Sequence, residues 1–172
     1  MATQTVRAHT SGSAQLSAQK AKFEWGRVQG TLEVPEGLRR QAHAAGQVAF
    51  AYAQAEEFCG DEVTWLPDAP WHAECELLFP EDEVRRLGFE QSVAGNFKVY
   101  STHGTDPHVD GEGPCFVLVL ANDALKFRQG KQSHITSTGE WFIFDDSQTH
   151  TVKASRKSTA YVFLHRPLKA TR

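Results

Sequence analysis

At 172 residues the chain is long enough for one domain with a sizeable core, and its 40% hydrophobic and 23% charged residues fit a globular protein. A net charge of −3 gives no global argument for a nucleic-acid or anionic-membrane partner, and no apolar run approaches membrane-spanning length. The opening MATQTVRAHTSGSAQ lacks the apolar core of a signal peptide, and the cysteines (Cys59, Cys75, Cys115) are odd in number and widely spaced, so a reducing, cytoplasmic setting is expected.

Residues 1–20 are rich in Ser, Thr, Ala and Gln without a sustained period, and are expected to form a disordered tail ahead of a single domain over 21–172. KFEWGRVQGTLEVP (22–35) alternates and carries glycines, which predicts one or two short strands. Residues 36–58 predict a helix that starts after Pro35 and stops before Gly60, with Leu38, Ala42, Ala45, Val48, Ala49 and Tyr52 near helical spacing. Trp65 and Trp71 flank LPDAP, read as a proline-rich loop, and PEDEVRRLGFE (80–90) predicts a second, short helix. From residue 92 the pattern turns to strands: SVAGNFKVYST, CFVLVLAND, ALKFRQG, GEWFIFDD, and a hairpin-like pair in HTVKASRKSTAYVFLHRP that ends at Pro167. Short strands with turn signals every 8–12 residues predict a sandwich or barrel, so the expected class is mainly β with N-terminal helices (α+β).

The chemistry concentrates in STHGTDPHVDGEGPCFVLVL (101–120) and GEWFIFDDSQTH (139–150). In a strand, side chains at i and i+2 share a face, so His108 and Asp110 in PHVD are expected to project together. A sheet folding back on itself can bring His150 beside them. Two imidazoles and a carboxylate on one face are the ligand set of a non-haem Fe(II) centre, with positions left open for other ligands.

H-x-D, a buried strand, then G-x-x-x-x-F-D-x-x-x-x-H and a following segment with a base together resemble the Fe(II)/2-oxoglutarate-dependent dioxygenase superfamily. The resemblance covers roughly residues 92–166. It implies a double-stranded β-helix, a jelly-roll relative of the cupins. It also implies His108, Asp110 and His150 as catalytic metal ligands, Fe(II) as metal, 2-oxoglutarate as co-substrate and O2 as a further partner. The implied reaction couples decarboxylation of 2-oxoglutarate to succinate with hydroxylation of a C–H bond, the substrate staying open between small molecule (favoured), peptide side chain and nucleobase. A base on the strand after the distal histidine would pair with the far carboxylate of 2-oxoglutarate. Arg156 with Ser158 at i+2 matches the superfamily's R-x-S, Lys157 fits if the register slips by one, and Arg166 is a third candidate. Tyr100 is matched to a co-substrate tyrosine, with Asn96 and Asn122 as further pocket candidates. His103, Asp106 and Glu112 are left for the substrate side, and no partner is identified for His72, His134 or His165.

Two alternatives stand beside this reading. One is a cupin-type metal enzyme that does not use 2-oxoglutarate, although the cupin motif's Pro and Gly positions hold Asp145 and Ser147, and H-x-D stands where most cupins have H-x-H. The other is a non-catalytic jelly-roll binding module with incidental histidines. The oligomeric state is not legible.

Overall fold

The computed structural model describes residues 23–55, 63–93, 97–111, 113–122, 124–153 and 161–171. The expected tail over 1–20 lies outside them. In chain order the elements are β1 (Val28–Thr31), α1 (Glu36–Ala55), β2 (Val63–Trp65), α2 (Pro70–Glu76), α3 (Glu81–Arg86), β3 (Phe89–Gln91) and β4 (Lys98–Thr102). They continue with β5 (Pro114–Asn122), β6 (Lys126–Gln129), β7 (Gln132–Ile135), β8 (Glu140–Asp145), β9 (His150–Lys153) and β10 (Tyr161–Ala170).

A seven-stranded antiparallel sheet has the order β1-β8-β5-β10-β4-β2, with β3 pairing to the far end of β10. A three-stranded sheet has the order β7-β6-β9, and His108 joins it through a one-residue bridge to His150. From β4 onward the chain passes back and forth between the sheets. β4, β5, β8 and β10 fall in the large sheet, while the His108 bridge, β6, β7 and β9 fall in the small one. That alternation is the winding of a double-stranded β-helix, so the jelly roll expected from the sequence is the fold. Among the described residues, no helix is long and apolar enough to cross a membrane.

β5 explains why Phe116–Leu120 is continuously apolar. It lies between β8 and β10, and both its faces are covered. Phe116, Leu118 and Leu120 pack toward the helices with Leu38, Ala42, Trp141, Ile143, Val162 and Leu164. Cys115, Val117 and Val119 point between the sheets with Phe127, Phe142, Phe144 and Tyr161. A strand buried on both faces has no solvent side on which to place polar residues.

Several expectations need correction. α1 buries Leu38, Ala42 and Ala53, with Ala45 and Ala49 half-buried against the core, whereas Val48 and Tyr52 are 71% and 63% exposed. The 38-42-45-49-53 ladder is the helical stripe, and its alanines let the helix lie close on the sheet; Val48 and Tyr52 fall to one side of it. Part of the expected loop is helical, because Pro70 starts α2, a position where its missing N–H is no loss. The expected helix over 80–90 ends at Arg86, and Phe89 opens β3. β7 was not foreseen. The expected hairpin over 150–167 does not form as such: β9 pairs with β6 and β10 with β5 and β4, so the two strands belong to different sheets. β10 also continues past Pro167 to Ala170.

Candidate metal centre

The loop between β4 and β5 carries two of the three expected ligands, and hydrogen bonds fasten it to β9. Thr105 N–H donates to the Val152 carbonyl (2.7 Å), Val152 N–H donates to Thr105 Oγ1 (2.9 Å), and Thr151 Oγ1 donates to the Thr105 carbonyl (2.6 Å). His108 and His150 exchange both backbone hydrogen bonds, each 3.0 Å. His108 therefore sits in an isolated bridge, not in the strand expected from H-x-D. Pro107 supplies no N–H to extend a ladder, and Gly111 (φ 88°) and Gly113 (φ 84°) turn the chain immediately after Asp110. The turn is anchored where the Asp110 and Gly111 N–H groups donate to the Asp146 carbonyl (3.1 and 3.2 Å).

His108, Asp110 and His150 converge. The Asp110 Oδ2 atom lies 3.5 Å from His108 Nε2 and 3.7 Å from His150 Nε2, and the two imidazole centroids are 4.3 Å apart. Adjacent ligand atoms around an ion with bonds near 2.1 Å stand about 3.0–3.4 Å apart. The two carboxylate-to-imidazole distances would thus close by a few tenths of an ångström on binding. The ring orientations also fit a metal. His108 Nδ1 meets the Asp106 carbonyl (2.7 Å) and His150 Nδ1 meets the Gln148 carbonyl (3.0 Å). A carbonyl only accepts, so each Nδ1 carries the proton and each Nε2 lone pair is turned toward Asp110. Burial, seconded by the neighbouring His108, lowers the His150 pKa against the Gln148 hydrogen bond and the Asp110 charge, favouring the neutral ring that a metal needs.

The three candidate ligands stand at the mouth of a cavity of about 520 Å³ between the two sheets. Its walls are largely apolar: Val117, Phe127, Phe142, Phe144, Val152 and Phe163. Tyr161 is fully buried among them, and its hydroxyl accepts from Thr136 Oγ1 (3.2 Å). The formally charged residues among the described lining are Asp106, Asp110 and Asp146, with no Lys or Arg.

The other expected site residues divide as follows. Tyr100 does reach the cavity, stacked on Phe163 (5.7 Å between centroids) and edge-on to His165 (5.6 Å). Arg156, Lys157 and Ser158 lie outside the described residues, as do Asn96 and Glu112. Arg166 is on the opposite face of β10 from the cavity: it donates to Glu76 Oε1 (3.0 Å) and lies over the Phe79 ring (5.1 Å). Strand alternation sends His165 inward and Arg166 outward, so Arg166 is no co-substrate base. Asn122 does not line this cavity either. Its amide holds the β5–β6 turn, donating to the carbonyls of Leu125 and Thr136 and accepting from Leu125 N–H. His103 packs edge-on against Phe50 of α1 and does not line the cavity, whereas Asp106 does.

Two polar residues of the site went unforeseen. Asp146 is buried with Oδ1 3.4 Å from His150 Nε2, and His165 lines the inner wall. Burial pushes the His165 pKa down to about 4; Asp110 opposes this, while Lys98 and His150 add to it. Asp146 was visible only as half of an acidic pair. Nothing in local spacing ties residue 165 to residues 108–150.

No protein-family model matches the chain, and no curated protein matches its sequence. Solved structures similar to it include a Pseudomonas putida prolyl-4-hydroxylase at 17% identity, covering 81% of this chain and 89% of that one with a TM-score of 0.43. They also include an oxidoreductase of the 2OG-Fe(II) oxygenase family from Burkholderia pseudomallei (14% identity, 81% and 95% covered, TM-score 0.41). A cupin domain from Bordetella pertussis is similar at 14% identity, with 64% and 95% covered and a TM-score of 0.38.

Proposed function

We propose that this protein is a non-haem Fe(II)/2-oxoglutarate-dependent dioxygenase that hydroxylates a C–H bond of a small molecule. The observation that carries the reading is the convergence of His108, Asp110 and His150, with both Nε2 lone pairs turned to the Asp110 carboxylate. Two neutral nitrogens and one carboxylate on one side of an ion leave its other side open toward the cavity. Iron(II) held there would supply redox chemistry toward oxygen, which the side chains alone cannot perform. Asp110 would offset part of the metal charge, and the Asp106 and Gln148 carbonyls would hold the two rings in the ligating tautomer. The phenylalanine walls would exclude water from the reacting groups. A cavity of about 520 Å³ suits a small substrate beside the co-substrate.

A second reading, a metal enzyme of cupin type without 2-oxoglutarate, is favoured by one observation. No Lys or Arg lines the cavity among the described residues, and the two residues expected to hold the far carboxylate of 2-oxoglutarate, Arg156 and Lys157, lie outside them. One experiment decides between them. Iron-loaded protein is titrated with 2-oxoglutarate without oxygen and followed by calorimetry, then exposed to oxygen and assayed for succinate. Micromolar binding and iron-dependent succinate support the dioxygenase. Iron binding without affinity for 2-oxoglutarate overturns it in favour of the second reading.

A further inference from the structure

Beneath the first ligand set lies another. Cys115 is the second residue of β5, Asp146 follows the last residue of β8, and His165 lies in β10. β5 pairs with both other strands, Cys115 opposite Phe144 on one side and Val117 opposite His165 on the other. Three separate stretches of sequence therefore meet on the inner face of the large sheet. The sulfur, a carboxylate oxygen and an imidazole nitrogen lie within 4.8 Å of one another, and all three residues are buried, at 0%, 3% and 9% exposure.

We infer that Cys115, Asp146 and His165 form a second, inner metal position, taking a divalent ion of the zinc class. The donor set selects the ion. A thiolate with an imidazole and a carboxylate suits zinc, cobalt or ferrous ions, whereas calcium and magnesium want oxygen ligands throughout. Ligand atoms around such an ion stand about 3.5 Å apart, so groups that lie within 4.8 Å of one another would close by no more than about 1.3 Å. Binding converts the Cys115 thiol to a metal-bound thiolate and releases its proton to solvent. Three protein ligands leave a fourth position, and Asp146 and His165 both border the cavity that would fill it. The charge balance is favourable, because the described cavity lining carries three aspartates and no Lys or Arg. Asp146 Oδ1 also lies 3.4 Å from His150 Nε2, so the inner position adjoins the outer one and Asp146 stands between them.

The test titrates metal-free protein with Co(II) under anaerobic conditions, with absorption spectra and metal counting per chain. Two equivalents are expected, one accompanied by a near-ultraviolet thiolate-to-cobalt charge-transfer band. Cys115→Ser should remove that band and one equivalent. His108→Ala should remove the other equivalent and keep the band. If Cys115→Ser does not fold, His165→Gln serves instead, with at least a tenfold loss in affinity of the band-forming equivalent. One equivalent without a thiolate band, abolished by His108→Ala, overturns the inner site and leaves the outer one standing; the cluster is then hydrogen-bonded only. A band that survives Cys115→Ser also overturns it. No cobalt binding at all sinks both sites together.

Discussion

The two faces of the large sheet are built from the same strands and do opposite work. On the helix side, β5, β8 and β10 contribute Phe116, Leu118, Trp141, Ile143, Val162 and Leu164, a closed apolar layer under α1 and α2. On the other side the same strands contribute Val117, Phe142, Phe144, Tyr161, Phe163 and His165, which surround a cavity opening on the candidate metal ligands. One face spends its side chains on contact, the other on leaving space and placing donors. Stability and chemistry are thus separated by the period-2 alternation of a strand.

The largest expected effect lies on the cavity side and concerns ligation, not folding. His150→Ala or His108→Ala should weaken Fe(II) binding at least 100-fold and abolish iron-dependent turnover, measured by anaerobic metal titration and succinate release, while the melting temperature of the metal-free protein moves little. A large drop in that temperature would instead assign the histidines to the core. The next effect is acid lability. The unfolded chain protonates a histidine near 6.5, whereas His165 in the fold stays neutral to about 4. The unfolded state therefore gains as pH falls between those values, and the gap corresponds to about 3 kcal/mol of stability, full above about pH 6.5 and lost by about pH 4. Urea unfolding at pH 7 and 4.5 should show this, and His165→Gln should flatten it.

A matched pair then compares the faces directly. Val162 is buried on the helix side and Val117 borders the cavity. Val162→Ala should destabilise by about 2 kcal/mol and Val117→Ala by about 1, since a cavity wall already lacks neighbours on one side. Equal values would mean that the cavity side is as well packed as the core. The smallest effect tests the alternation itself: Arg166→Met should leave the 2-oxoglutarate requirement unchanged, whereas Arg156→Ala should raise it if that residue is the co-substrate base. Saturation curves for succinate formation distinguish them.

What was legible in the sequence follows this division. The buried strand Phe116–Leu120, the helix from residue 36 and the candidate ligands His108, Asp110 and His150 could be read because each announces itself within a few residues. The inner cluster could not, because Cys115, Asp146 and His165 are brought together by pairings of β5 with β8 and β10 that no local pattern encodes. The hairpin expected over 150–167 failed for the same reason. Adjacent strands usually pair, but here β9 belongs to the small sheet and β10 to the large one, so these two neighbours in sequence do not. The H-x-D reading expects His108 and Asp110 to project together from a strand; they do converge, but from a one-residue bridge, since the glycines at 111 and 113 and Pro107 leave no longer ladder. Val48 and Tyr52 fall near helical spacing but out of phase with the buried stripe of α1. The alanines at 42, 45, 49 and 53 hold that stripe.

The reciprocal backbone pair between His108 and His150 has a kinetic corollary. Two protons that guard each other cannot be released one at a time, so the amides of His108 and His150 should exchange with deuterium through one shared opening and at one common free energy. Metal added to the protein should slow both by the same factor. The centre would then open and close as a single latch, with the loop and β9 as its two halves.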